Sequence, residues 1–176
     1  MNDTQLISRF KEGDTAAFNA IVERHKKRIY FFALKLSQDH QEAEDISQET
    51  FIRAYNKLHA LKNESCFIPW LYKIAGNYYR SIIRRPKLKV VTDIDLSSLS
   101  VEEEQVEEDE TKKAMKRAIA SLPKKQKIAL VLRCFEGLSY AEISQAMNVS
   151  VSSAKAHVSY ARNKLRDLVE RNKDEV

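Results

Sequence analysis

The sequence predicts an all-α protein of two small helical domains joined by a flexible acidic linker. Three observations carry that expectation. Apolar residues recur at three- and four-residue spacing, with no convincing alternation of the strand type. Three glycines and three prolines in 176 residues are too few for a turn-rich β-sandwich or a fibrous repeat. The charge also falls into blocks. Residues 1–92 hold 16 lysines and arginines against 10 acids, 93–110 hold nine acids and no base, and 111–176 hold 14 bases against six acids. The net +5 therefore hides two basic bodies separated by an acidic segment. Basic bodies attract polyanions through counterion release, but they can equally be solvated surface, and charge alone leaves both readings open.

The chain starts MNDTQLISRFKEGD, without the apolar stretch of a secretory signal. No run approaches the roughly 18 apolar residues of a membrane span. Cys66 and Cys134 form no CxxC pair, so neither a metal site nor a disulfide framework is indicated. These features lead us to expect a soluble, cytoplasmic protein without direct membrane insertion and without a cofactor.

Phe18, Val22, Ile29, Ala33 and Leu36 recur close to helical spacing and predict a first long helix. Ala43, Ile46, Thr50, Ala54 and Leu58 predict a second, opened by Asp39 with Glu42 three residues on, a capping-box pattern. A third helix is expected from Phe67 to Arg85, because the residue before Pro86 avoids the α region. From Lys87 to Glu110 the periodicity lapses into serines and the run EEEQVEEDE, too polar to bury. The chain thus divides into domains at 1–88 and 111–176, with a linker at 89–110.

Beyond the linker, Thr111–Ser121 reads as a basic helix. Pro123 suits the first turn of the next, which runs through Lys127, Leu130 and Val131 to Phe135 and stops at Glu136-Gly137. Ser139 and Glu142 make a second capping box, and the helix it opens ends at Met147. Asn148 suits the left-handed turn after it, and Ser150 caps one more helix. Helix, tight turn and longer helix is the helix-turn-helix pattern.

Within that last helix, Val151, Ala154, Val158, Ala161 and Leu165 are the expected buried stripe. Ser152, Ala156, Ser159 and Asn163 lie opposite, with Tyr160 nearby, small or polar enough to let a helix approach base edges. Lys155, Arg162 and Arg166 flank this face on one side, and His157 and Lys164 on the other, where they would meet phosphates. A plain α-hairpin with a solvated face leaves small residues between two cationic rims unexplained.

The third helix carries an expected core stripe of Ile68, Leu71, Ala75, Tyr78 and Ile82. Trp70, Lys73, Asn77, Arg80 and Arg84 form a second stripe on nearly the opposite side. Bases and amides among aromatics suit a single strand, whose unstacked bases can lie on aromatic faces. Trp70 fits either the core or that surface. The second helix presents Glu42, Asp45, Gln48 and Glu49 on one stripe. His40 is one turn away, yet no further ligand at metal spacing completes a site, so docking on a cationic partner or plain solvation remain.

Taken together, AEDISQETFIRAY (43–55), FIPWLYKIAGNYYRSIIRR (67–85) and SLPKKQKIALVLRCFEGLSYAEISQAMNVSVSSAKAHVSYARNKL (121–165) resemble the extracytoplasmic-function sigma factors of bacterial RNA polymerase. The likeness covers nearly the whole chain in the family's order. It implies a sigma region 2 bundle over 1–88 and a sigma region 4 helix-turn-helix over 111–176. On that resemblance Glu42, Asp45, Gln48 and Glu49 dock on the clamp helices of the polymerase's largest subunit, and the region 4 domain meets the flap of the second-largest subunit. The loop Asn63, Glu64, Ser65, Cys66 and Phe67 would capture a flipped base of the minus-10 strand, with Trp70, Lys73, Asn77, Arg80, Ser81 and Arg84 on the helix behind it. Ser152, Ser153, Lys155, Ala156, His157, Ser159, Tyr160 and Arg162 would face the minus-35 duplex.

The chain departs from the common pattern at three of these positions. His157 stands where arginine is usual, Tyr160 where a base is frequent, and Ala156 where a hydroxyl is frequent. A neutral imidazole cannot replace arginine's bidentate guanine contact, so the target sequence cannot be borrowed from relatives. The resemblance further implies promoter DNA and an anti-sigma factor, often membrane-bound, as partners. It leaves catalysis to the polymerase, and no nucleophile–base set or phosphate loop argues otherwise. A free-standing helix-turn-helix regulator, acting without polymerase, is the other reading; it accounts for residues 138–166 and not for the first domain.

Overall fold

The computed structural model describes residues 1–84 and 110–174, and among these it is helical without strands. The expected linker, 89–110, lies outside the described residues except for its last member.

A helix that the periodicity reading passed over comes first. Helix α1 (Asp3–Lys11) starts at a full capping box, in which the Asn2 side chain accepts from the Gln5 N–H at 2.9 Å and Gln5 accepts from the Asn2 N–H. It buries Leu6, Ile7 and Phe10. The turn at Gly13 needs φ +102°, open to glycine at little cost, and Asp14 then caps α2 (Thr15–Ser37). Helix α2 buries Phe18, Ile21, Ile29, Phe32, Ala33 and Leu36, with Val22 at the margin. It ends at Gln38 in the left-handed conformation, and Asp39 caps α3 (His40–Lys57) by accepting the Glu42 N–H at 2.8 Å.

Two short 3₁₀ turns, Leu58–Ala60 and Glu64–Cys66, lead into α4 (Phe67–Arg84). The expected end at Arg85 lies outside the described residues. The buried face of α4 also differs from the expected stripe. Leu71 and Ala75 are buried as expected, but Phe67, Tyr72, Gly76 and Tyr79 join them, while Ile68, Tyr78 and Ile82 are only half-buried. The reason is that α4 packs on both sides, against α2 and α3 and also against α7 of the second half. A helix with two neighbours buries a wider, rotated arc than a single stripe predicts.

The second half holds α5 (Glu110–Ala120), α6 (Lys124–Cys134), α7 (Tyr140–Met147) and α8 (Val151–Asp174). Pro123 sits at the N-cap of α6, one residue earlier than expected. Both bonds of the Ser139–Glu142 box are made, at 3.2 and 2.7 Å. Asn148 takes φ 54°, and Ser150 accepts the Ser153 N–H at 3.1 Å. These bonds fix the helix-turn-helix angle locally. Ala154, Val158 and Ala161 are buried and Leu165 half-buried, whereas Val151, assigned to the same stripe, is 42% exposed. As the first residue of α8 it precedes the packed turns.

The two halves share one apolar core. Leu71, Tyr72 and Ala75 belong to the same cluster as Ile128, Val131, Leu132, Leu138, Ile143 and Met147. Polar bonds from both halves meet at the end of α2, whose last carbonyls have no intrahelical partner. The Leu36 carbonyl accepts from the Tyr79 hydroxyl at 3.0 Å and from the buried Lys127 ammonium at 3.4 Å. Gln38 reaches the Lys116 carbonyl at 2.7 Å. Burial pushes the Tyr79 hydroxyl up to about 12 and lowers the Lys127 ammonium from its ordinary value.

Candidate nucleic-acid interface

Helix α8 turns a ladder of small side chains outward. Ser152, Ala156 and Ser159 are exposed, as are Lys155, Tyr160 and Arg162, while Ser153 and His157 are half-buried. Ser150 ties the first turn together, its hydroxyl 3.0 Å from that of Ser152 and 2.8 Å from that of Ser153. One rim is more elaborate than the sequence suggested. The Tyr140 ring lies between two cations, with the Arg133 guanidinium 4.8 Å and the Lys155 ammonium 5.8 Å from its centroid. Arg133 is fixed by donating to the Leu138 carbonyl at 2.9 Å. Arg162 rests against the Cys134 sulfur, and Lys164 donates to the Ser121 carbonyl. Arg133 and Tyr140 were missed because they come from α6 and α7 and meet α8 only in the fold.

The imidazole of His157 sits on the other rim. Its partial burial, with Lys125 nearby, holds its pKa below the ordinary histidine value. It is therefore neutral at pH 7 and adds no cation to the face.

On α4, Lys73, Arg80 and Ser81 are half-buried and Asn77 and Arg84 exposed, so the expected polar stripe is present as a surface. Arg80 is steered by its neighbours, donating to the Gly76 carbonyl at 3.3 Å and to the Asn77 side chain. Trp70 is half-buried, 6.0 Å from the Phe67 ring. In the preceding loop Asn63 and Ser65 are exposed and Cys66 half-exposed. Glu64 pairs with Lys11 at 3.0 Å. Phe67 is 1% exposed, packed edge-on against His25. It anchors the loop from beneath rather than offering a ring to a ligand. Lys73, Asn77 and Arg80 open onto a cleft of about 280 Å³, whose other wall is Lys125, Met147, Asn148 and Val149 from the second half.

The third surface lies on α3. Asp45 and Gln48 are exposed, and Glu42 and Glu49 half-buried. Glu49 accepts from Arg53 at 2.6 Å, and the Arg53 guanidinium lies over the Tyr78 ring. Ile52 is exposed on the same helix. Gln48, Glu44 and Ser47 line an open groove of about 630 Å³ with Lys26, Lys27, Tyr30 and Phe31 of α2. Sequence reasoning found the acids but not the apolar floor that α2 supplies, because the pairing of α2 with α3 is tertiary.

Among the described residues no group of three or more histidines, cysteines or acids could hold a metal ion. No helix among them is long and apolar enough to cross a membrane.

Comparisons with known proteins agree with this layout. The sequence profile of Sigma-70 region 2 matches residues 21–87, and that of Sigma-70, region 4 matches residues 112–165. The chain is 34% identical to the RNA polymerase sigma-H factor of Pseudomonas aeruginosa, over 91% of this chain and 90% of that protein. It is 30% identical to the ECF RNA polymerase sigma-E factor of Escherichia coli K12, over 97% and 98%. In fold it resembles CnrH solved in complex with the cytosolic domain of CnrY, with a TM-score of 0.73 at 21% identity, covering 96% of this chain and 97% of that one. It also resembles the sigma factor RpoE solved with the anti-sigma factor NepR from Bartonella quintana, with a TM-score of 0.66 at 23% identity, covering 87% and 96%.

Proposed function

The chain belongs to the sigma-70 family as an extracytoplasmic-function sigma factor that directs transcription initiation, and from that premise we propose how its surfaces divide the work. Residues 1–88 form the polymerase-docking and minus-10 domain, and 111–176 the minus-35 domain, with 89–110 between them. Asp45, Gln48, Glu42 and Glu49, with the groove beside α2, take the clamp helices of the largest subunit of core polymerase. The second domain takes the flap of the second-largest subunit.

Lys73, Asn77, Arg80, Ser81 and Arg84 track the opened minus-10 strand, while Asn63, Glu64, Ser65 and Cys66, anchored on the buried Phe67, and Trp70 hold a displaced base. Ser152, Ser153, Ala156, Ser159 and Tyr160 face minus-35 base edges, and Lys155 and Arg162 the flanking phosphates. Nucleotidyl transfer belongs to the polymerase, the protein works in the cytoplasm without a cofactor, and an anti-sigma factor restrains it by covering the same surfaces.

The observation that carries this reading is the exposed small-residue face of α8 beside the cationic rim of Lys155 and Arg162, in one chain with the cationic stripe of α4. A regulator acting without polymerase would have no use for the second surface. The test is transcription from genomic fragments with purified core polymerase, comparing the wild type with Asp45→Ala/Gln48→Ala. The expected result is protein-dependent starts at a shared two-element sequence, reduced at least tenfold in the double variant, with minus-35 duplex affinity unchanged. Undiminished starts in the variant would overturn the docking assignment.

A further inference from the structure

We propose that helix α1 braces the base-holding loop at both of its ends, and that Lys11 is the positioning residue that sets how sharply this loop discriminates among minus-10 bases. The inference deepens the reading of residues 63–66 as the loop that holds a displaced base, and it rests on that reading.

In sequence Lys11 is an ordinary cation in the last turn of a short helix, where it suits the helix dipole. In the fold its ammonium is committed elsewhere. It donates to the Leu61 carbonyl at 2.7 Å and to Glu64 Oε1 at 3.0 Å. These two acceptors stand on either side of Lys62 and Asn63, so one side chain ties off the entry to the loop. Asn63 carries the constraint onward. Its side chain accepts the Ser65 N–H at 3.1 Å, and its carbonyl accepts the Cys66 N–H at 3.1 Å.

The root of Lys11 is fixed in turn. Phe10, the residue before it, is buried among the rings of Phe18, Tyr55 and His59, at centroid distances of 5.3, 5.2 and 4.8 Å. His59 belongs to the first 3₁₀ turn, at the approach to the loop. The other end of α1 reaches the loop's exit. Asp3, in the first turn, lies 3.0 Å from Nε2 of the buried His25, and the His25 ring packs edge-on against Phe67, on which the loop closes. Arg24 holds Asp3 in place by donating to its other carboxylate oxygen at 2.5 Å. One helix of nine residues therefore meets both ends of a loop some fifty residues away.

Glu64 gives the contact a further consequence. It is the one acid in the loop, and a bare carboxylate there would repel the phosphates of an incoming strand. The Lys11 and Glu64 side chains are only 26% and 22% exposed, so the pair is held in place, unlike a solvated surface pair that merely flickers. A group that selects a ligand works only when it is kept within about 0.5 Å of its productive position. Two directed bonds from a rooted ammonium supply that constraint here.

The experiment uses the holoenzyme. Core polymerase with the full chain transcribes a library built on the promoter that the genomic fragments reveal, with its minus-10 and minus-35 elements randomised in turn. Lys11→Met should flatten base preference at one minus-10 position about tenfold, the scale set by losing a bond to a charged group. Minus-35 preference and affinity for core polymerase should not change. Lys11→Arg, which keeps both donations, should retain the wild-type preference. Lys11→Met/Glu64→Gln removes the bare charge without rebuilding the brace, and should stay as flat as Lys11→Met.

Restored preference in that double variant would reduce Lys11 to a neutralising charge and overturn the positioning role. An equal loss on every base in Lys11→Met, or a lower melting temperature with wild-type preference, would overturn it as well. Asn63→Ala, run alongside, separates the two levels of failure. Altered minus-10 preference in Asn63→Ala with none in Lys11→Met rejects the brace alone, and no alteration in either rejects the reading of the loop.

Discussion

At the scale of single residues, His157 shows how environment decides what a side chain contributes. Its burial and the nearby Lys125 favour the neutral ring, so the imidazole carries no charge where a free histidine would begin to gain one. Two consequences have opposite signs. Because the folded pKa is lowered, the unfolded chain holds more protons below pH 6.5, and stability falls as pH drops through that window. Duplex binding moves the other way, since a protonated His157 adds a cation on the phosphate side of α8. Affinity for a minus-35 duplex should therefore rise as pH falls below the ordinary histidine range, with the salt dependence steepening by up to about one phosphate contact. His157→Gln should flatten that rise. Titration of duplex binding at fixed salt checks it, and an equal rise in the variant would assign the proton to another group.

At the scale of elements, the capped helices of the second half were legible and the faces of α4 were not. Ser139, Glu142, Asn148 and Ser150 each act through bonds to backbone within a few residues, so the types and spacing of these residues suffice to place α7 and the start of α8. Removing the Ser139 hydroxyl should cost about 1 kcal/mol of stability in denaturant unfolding. The bonds to Ser139 also hold the Glu142 carboxyl below its ordinary pKa. Its own contribution is therefore present above the usual carboxylate range and lost as pH falls through the lowered value. A Ser139→Ala chain as stable as wild type at pH 7 would show the cap to be redundant. Along α4, by contrast, Tyr78 and Tyr79 are equally aromatic in sequence. Only the arrival of α2, α3 and α7 around the helix decides that Tyr79 is buried with its hydroxyl on Leu36, while Tyr78 stays half-exposed beneath Arg53. Helix α1 escaped notice although the Asn2–Gln5 box that opens it is just as local, because its nine residues carry only three buried side chains and so little periodicity.

At the scale of the whole molecule, the seam between the halves was the least legible feature and the one on which behaviour most depends. Charge blocks and the acidic run separate the halves in sequence, but nothing in either half announces that Leu71 and Tyr72 share a core with Val131 and Leu132. Gly76 offers a direct handle on that seam. It lies buried in mid-helix on α4, and a Cβ placed there would stand 3.9 and 4.0 Å from two methyl carbons of Ile128, ordinary contact distances. Alanine also improves helix propensity by up to about 1 kcal/mol over glycine. Gly76→Ala should therefore raise the melting temperature by roughly 2–4 °C. The added methyl contacts Ile128 of the other half, so part of the gain should vanish in an Ile128→Ala background. Thermal melts of Gly76→Ala in both backgrounds check both parts. An equal gain in the two backgrounds would confine it to α4 itself. Destabilisation would mean that the seam lacks room for a methyl group and closes more tightly than these distances allow.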